Sequence, residues 1–316
     1  MPAAPPVSDA TIPVSKLEET MSDVRIGVIG GSGLYAMEGL EVEQERRIQT
    51  PWGDPSDAYV IGRLDGRRVA FLARHGRGHR LLPTELNFRA NVYGFKKLGV
   101  EFLISVSAVG SMKIEYAPGH IVVPDQFFDR TRHRPDTFFG NGLVAHVSLA
   151  HPVSAVLADV LHGAAKAERA TVHRGGTYLN MEGPQFSTRA ESMVYRQWGV
   201  DVIGMTNLQE AKLAREAEIA YASLAMVTDY DCWHEEEAAV TGEGVMEVLR
   251  KNVALAQRVV RRAVGALDDV ANDCADALRM SLITEPALVP AETLEMLEPL
   301  LGKYLERSGG KLAWKR

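Results

Sequence analysis

The chain has 316 residues, 46% hydrophobic and 24% charged, so it is an ordinary globular protein and not a disordered one. Lys and Arg number 35 against 41 Asp and Glu, a formal charge of −6, which argues against nucleic acid as a partner because phosphate backbones need a basic face. No apolar run of about 18 residues predicts a membrane span, and two cysteines, Cys232 and Cys274, are too few for a disulfide framework or a Cys-rich zinc site.

Residues 1–22 hold Pro2, Pro5, Pro6 and Pro13 among small residues and read as a loose tail. They have no basic n-region and no apolar h-region, so the cytoplasm is the expected location. The β-branched run from Val24 to Ile29 predicts a buried strand opening into the turn Gly30-Gly31-Ser32-Gly33. Strand-like runs follow at 58–64, 68–73, 102–108, 120–123, 200–205 and 220–228. Helix-like segments lie at 89–97, 153–168, 188–198, 209–217 and 244–264. The alternation predicts an α/β fold, a central mixed sheet flanked by helices, as one catalytic domain over 23–268. Residues 269–316 read as a helical C-terminal extension, broken by Pro286, Pro290 and Pro299 and fraying from Ser308 onward.

The chemistry-bearing residues gather where strands end. The turn at Gly31-Ser32-Gly33 offers backbone N–H groups and a hydroxyl to an anion, or is only a tight strand-to-helix turn. Arg74-His75 follows an apolar strand, where open α/β sheets bind ligands and arginine grips anions, unless it is a solvated basic loop. Ser107 and Ala108 extend a third strand, and Thr206 closes a fourth after Met205. Phe186 either stacks on a ring or fills a core, with Ser187 or Thr188 capping the helix behind it. Asp229 and Asp231, two apart on an extended chain, share a face, so crowding would raise one carboxyl and keep a proton near neutral pH.

In order, Gly30-Gly31-Ser32-Gly33-Leu34, Thr50-Pro51-Trp52-Gly53, Arg74-His75-Gly76, Ser107-Ala108-Val109-Gly110-Ser111, Asp125-Gln126-Phe127, Glu182 to Ser187 and Asp229 to Trp233 resemble the trimeric purine nucleoside phosphorylase family. The likeness spans residues 24 to about 268; each piece is weak and the ordered set specific. The resemblance implies that phosphate attacks C1′ of a nucleoside and releases a free base and a ribose 1-phosphate. It implies phosphate held by Ser32, Arg74, His75, Ser107, Ala108 and Thr206, Met205 at the ribose and Phe186 at the base. Asp229, Tyr230 and Asp231 fall at the purine, with Asp229 favoured as the N7 acid. His146 is implied to reach a neighbouring subunit's site, Gly242 and Met246 to lie near the sugar's 5′ end, and Ser187, whose hydroxyl can reach a polar edge, to bear on specificity with them. No cofactor and no metal are expected, phosphate being a co-substrate, and a homotrimer or a hexamer of two trimers follows.

The Asp-x-Asp pair favours a 6-aminopurine, since a carboxylate accepts from N6–H but opposes an O6 acceptor. With an aminopurine favoured, the resemblance implies phosphorolysis of S-methyl-5′-thioadenosine to adenine and 5-methylthioribose 1-phosphate; the alternative is a broader or 6-oxopurine nucleoside specificity. A nicotinamide or flavin oxidoreductase, suggested by Gly31-x-Gly33-x-x-Ala36, would need an acidic residue ending the second strand, and Asp54 lies instead in a proline-flanked turn. A water-using nucleosidase or a non-catalytic binding module has no need of the phosphate donors.

Overall fold

The computed structural model describes residues 24–31, 33–34, 37–234, 242–308 and 311–315. The expected tail and Ser32 lie outside the described residues, as do the surroundings of Gly242 and the side chain of Met246. Strand β1 (Ile26–Gly30) is buried along its whole length, as a strand covered on both faces must be. It is followed by β2 (Leu40–Arg46), β3 (Tyr59–Leu64), β4 (Arg67–Ala73), helix α1 (Phe88–Lys97) and β5 (Phe102–Ser111). Next come β6 (Ile121–Val123), β7 (Gln126–Arg130), α2 (Ala155–Ala167), β8 (Val172–Arg174), β9 (Thr177–Met181) and α3 (Arg189–Gln197). The core closes with β10 (Val202–Gly204), α4 (Asn207–Glu216), β11 (Ala220–Asp229) and α5 (Gly242–Gly265).

The strands form one mixed sheet in the order β2-β3-β4-β1-β5-β10-β9-β7, with β11 and then β6 and β8 joined through β5. Strand β5 is the pivot. It runs parallel to β1 at its start and to β11 along its length, and its last residues pair antiparallel with β10. Alternate side chains of the central strands enter opposite layers. Val28, Ile104 and Val106 join α2 and α5 in one apolar cluster, while Ile29 and Leu103 join α1 and α4 in the other.

Two expectations need correction. Strands β2, β7, β8 and β9 are additional to those expected: the charged edge strand β2 and the edge strand β7 face water and carry little apolar pattern, and β8 and β9 are runs of three and five residues, too short for one to show, although β9 is buried between β10 and β7. The C-terminal extension is helical only at α6 (Ala291–Met296) and α7 (Glu298–Leu301). It then forms an antiparallel hairpin of β12 (Leu305–Ser308) and β13 (Lys311–Trp314) instead of fraying. The Gly309-Gly310 dipeptide between two short runs is a hairpin signal in the sequence. Leu278, Val289, Leu297, Leu300 and Tyr304 complete the second apolar layer, so the extension shares the core of the sheet. Glu218 anchors it: its buried carboxylate accepts Leu278 N–H (2.9 Å) and Tyr304 O–H (2.5 Å) and pairs with Lys303 (2.6 Å).

Candidate active site

The parallel strands β4, β1, β5 and β11 all end on one side of the sheet, and the segment after β10 returns to it. Antiparallel pairing sets Val202 opposite Ser111 and Ile203 opposite Gly110, so the chain beyond Gly204 runs back along β5 and carries Met205 and Thr206 toward Ala108 and Ser107. Thr206 is buried and precedes the first turn of α4 without using its side chain as a cap; its hydroxyl lies 3.1 Å from Asn207 Oδ1. The Ser107 hydroxyl is 9% exposed at the residue level and has no partner in hydrogen-bonding geometry among the described residues. The Tyr178 hydroxyl lies near Ser107, Thr206 and Asn207. A buried polar atom left in that state normally has a ligand or water to meet it.

Arg74 is not a solvated loop residue. It is 3% exposed, and Nε donates to Glu210 Oε1 at 2.5 Å. Nη1 donates to Val106 O (2.9 Å), and Nη2 reaches Ser105 Oγ (2.6 Å) and Glu210 Oε2 (3.2 Å). Glu210, fully buried, also accepts from Ser105 Oγ and Tyr221 O–H, each at 2.9 Å. The cation is thus neutralised from behind, and among the described residues one Nη1 hydrogen is left for another acceptor. His75 Nδ1 lies 2.8 Å from Leu81 O, which assigns the proton to Nδ1 and leaves Nε2 an acceptor. Burial, and then the charge of Arg74, lower its pKa to about 4, so the ring is neutral at pH 7.

The acid pair is assembled differently from the sequence expectation. Asp229 and Asp231 do not lie on one extended strand. The β5–β11 register shifts between Val227 and Asp229, a bulge that sets Asp229 opposite Gly110. Asp231 then takes a left-handed conformation (φ +52°) in the following turn. Asp229 Oδ1 accepts Asp231 N–H (2.8 Å), and Oδ2 accepts Thr228 O–H (2.7 Å). Asp231 is 6% exposed, and burial, not the neighbouring carboxylate, is what raises its pKa. Both acids lean on Gly110: a Cβ there would sit 2.9 Å from Asp229 Oδ1 and 3.4 Å from Asp231 Cβ, so any side chain would displace the pair.

Phe186 is 42% exposed, so it is not a core ring. Thr188, not Ser187, caps α3, in a reciprocal box with Glu191, which leaves the Ser187 hydroxyl 3.9 Å from Met181 Sδ. Tyr230 turns inward, its hydroxyl on Ile114 O (3.1 Å) and its ring against Trp233 and His234. The exposed His146 is tied to the C-terminal extension, its N–H donating to Ser281 O at 2.9 Å. Among the described residues no group of three His, Cys, Asp or Glu is arranged to hold a metal. A surface cavity of about 600 Å³ is lined by Arg47, Asp57 and Arg80, in part from the loop that follows His75, and another of about 610 Å³ by Tyr116, Met193 and Arg196.

The sequence reading did not single out Arg134, Asn180, Gln209 or Glu210, all buried around this site. No local pattern marks them, because each acquires its partner from a distant segment. Glu216 is similar. It accepts Phe138 N–H and Thr137 O–H, each at 2.7 Å, and so holds the segment leading to His146. Burial pushes its carboxyl from 4.5 up to about 7. The proton is therefore held more tightly in the folded chain, and stability falls as pH rises from about 4.5 through 7, by about 3 kcal/mol at the most. His75, lowered to about 4 from 6.5, acts in the opposite sense over its own range. Glu216→Gln isolates the glutamate. Its stability relative to the parent should improve by that amount between pH 4.5 and 7.5 in urea titrations, and a constant difference would refute the assignment.

Comparison with known proteins adds four findings. A model of the phosphorylase superfamily matches residues 25–265. S-methyl-5′-thioadenosine phosphorylase of Geobacter sulfurreducens is 59% identical over 282 residues, covering 89% of this chain and 99% of that protein. Among solved structures, methylthioadenosine phosphorylase from an Antarctic soil metagenomic library is similar with a TM-score of 0.85 and 48% identity, covering 90% of this chain and 100% of that one. The enzyme of Schistosoma mansoni in complex with adenine is similar with a TM-score of 0.77 and 34% identity, covering 81% and 96%.

Proposed function

We propose that this chain, which belongs to the phosphorylase superfamily, cleaves S-methyl-5′-thioadenosine with inorganic phosphate to give adenine and 5-methylthioribose 1-phosphate. The observation that carries the reading is the layout along β5. The unpartnered hydroxyl of Ser107 and the glycine that seats the acid pair are three residues apart on one strand. The spacing is about 10 Å along the strand, and although Ser107 and Gly110 lie on opposite faces of the pleat, the backbone of Ala108 shares Gly110's face, which leaves room for a phosphate beside Ala108 and a purine beside Gly110.

In this reading phosphate lies among Ser32, Ser107, the backbone of Ala108, Thr206, Arg74 and His75, at the N-terminal end of α4, whose dipole favours an anion. Met205 borders the ribose and Phe186 the base. As the glycosidic bond breaks, negative charge moves to the purine and positive charge to the sugar. Asp229 and Asp231 hold one proton between them for N7, and the remaining carboxylate accepts N6–H. The phosphate anion stabilises the cationic sugar carbon as it attacks, so both ends of the charge separation meet a preorganised partner. Because Glu210 offsets Arg74, hydroxyls and backbone donors carry much of the phosphate contact.

We further read the active form as a homotrimer, or two trimers in a hexamer, with His146 of each subunit serving a neighbour's nucleoside. Gly242 and Met246 belong to the 5′ end and Ser187 bears on specificity beside Asp231, no cofactor takes part, and the cytoplasm is the location. Purified protein with methylthioadenosine should release adenine only when phosphate is present, read by chromatography. Adenine without phosphate would make the chain a nucleosidase and void the phosphate assignment. Cleavage of inosine in place of methylthioadenosine would overturn the aminopurine assignment.

A further inference from the structure

We propose that Arg134 is a positioning residue for the nucleoside half of the site. It sets the spacing between the loop that carries Phe186 and the segment that carries Met205. The inference rests on the phosphorolysis reading only for the substrate named in its test.

Arg134 lies in the connection between β7 and α2, and its side chain is 2% exposed. All five of its N–H donors have acceptors. Nε donates to Glu182 Oε1 (2.9 Å). Nη1 donates to the Met205 carbonyl and to Gln209 Oε1 (3.2 Å). Nη2 donates to the carbonyls of Met181 (3.4 Å) and Glu182. Three of the five acceptors are main-chain carbonyls just where β9 and β10 end, the side on which an α/β sheet binds its ligands.

The surroundings leave the clamp little slack. Asn180 Nδ2 donates to the same Met205 carbonyl (3.1 Å), and Glu182 Oε2 accepts Arg132 N–H (2.5 Å). The two loops also touch directly. A Cβ on Gly183, which has φ +67°, would meet Met205 Sδ at 2.6 Å, so the thioether lies flat on glycine backbone. Moving one loop moves the other. The guanidinium is a rigid fork that meets five acceptors in one plane, and the single nitrogen of lysine cannot reproduce it.

The role therefore predicts a split between substrates. Arg134→Lys should raise KM for methylthioadenosine about tenfold, and Arg134→Ala should lower kcat/KM for it about 100-fold, as expected for a misplacement near 1 Å. KM for phosphate should rise less than KM for methylthioadenosine, since of the phosphate residues Thr206 adjoins Met205 while Ser107 and Arg74 are held by other strands. Millimolar guanidinium should rescue Arg134→Ala, and ammonium at the same concentration should not. Equal rises in both KM values, wild-type kinetics in Arg134→Lys, or guanidinium restoring the melting temperature without restoring KM would each overturn the proposal. Adenine affinity, measured by calorimetry on the same variants, separates this inference from the reading of the reaction. A parent chain that binds adenine but turns over nothing would sink that reading, and a weakened adenine affinity in Arg134→Lys would still uphold the positioning role. An unchanged affinity would end it.

Discussion

Arg74→Ala is expected to lose about 100- to 1,000-fold in kcat/KM for phosphate, the size of effect seen when one preorganised donor is removed from a reacting anion. It is expected to lose stability as well. The substitution leaves the Glu210 carboxylate fully buried with only Ser105 and Tyr221 as side-chain donors. Breaking one partner out of a buried ion pair costs about 3–5 kcal/mol, because the remaining charge has no counterion. The two losses have different remedies. In Arg74→Met with Glu210→Gln, both charges are gone and packing is retained, so most of the stability should return while turnover does not. Urea denaturation and steady-state kinetics on the single and double variants give the answer. Turnover returning with stability would mean that Arg74 serves the fold and not the phosphate.

Asp229→Asn is expected to lower kcat/KM for methylthioadenosine by about 100-fold or more, because the amide breaks up the acid pair that shares the N7 proton and removes an acceptor for N6–H. It is also expected to shift preference toward inosine. Adenine presents a donor at N6, which a carboxylate accepts; hypoxanthine presents an O6 acceptor, which the amide nitrogen of asparagine can meet. Exchanging an unsatisfied contact for a made one is worth about 1–3 kcal/mol, so the ratio of the two substrates should move by about tenfold to 100-fold. The fold should tolerate the change, because the amide oxygen still accepts Asp231 N–H across the turn. A second expectation concerns Asp231, whose carboxyl is raised by burial. A general acid works only while protonated, so the rate should decline as pH rises through that carboxyl's range, and this limb should be absent in Asp231→Asn. An Asp229→Asn variant that keeps a strict adenine preference, or an Asp231→Asn variant with the parent pH profile, would remove the pair from the purine edge.

The Arg74 and Asp229 cases show how legible the site was. Arg74, Thr206 and Asp229 are legible as candidates because each closes or follows a buried strand, where a parallel sheet binds its ligands, and Ser107, which lies inside β5, only as a hydroxyl in an apolar run. Their environment was not visible. Glu210 sits on α4, 136 residues from Arg74, and nothing near either residue announces the other. The same holds for Arg134, which meets Met205 across 71 residues of chain. The raised carboxyl was expected for the wrong reason: alternation along a strand suggested crowding, whereas a bulge at Thr228 and a left-handed turn at Asp231 bury one acid and hold the other.

Sequence alone determined the α/β class, the positions of the central strands and the inventory of donors and acids, because burial on both faces writes itself into continuous apolar runs and ligand-facing ends into small polar residues. It could not determine which charges neutralise one another, the bulge that aims Asp229, or the hairpin that ends the extension. Those depend on pairings between residues far apart in the chain, where long-range packing overrides local preference, and only the tertiary structure settles them.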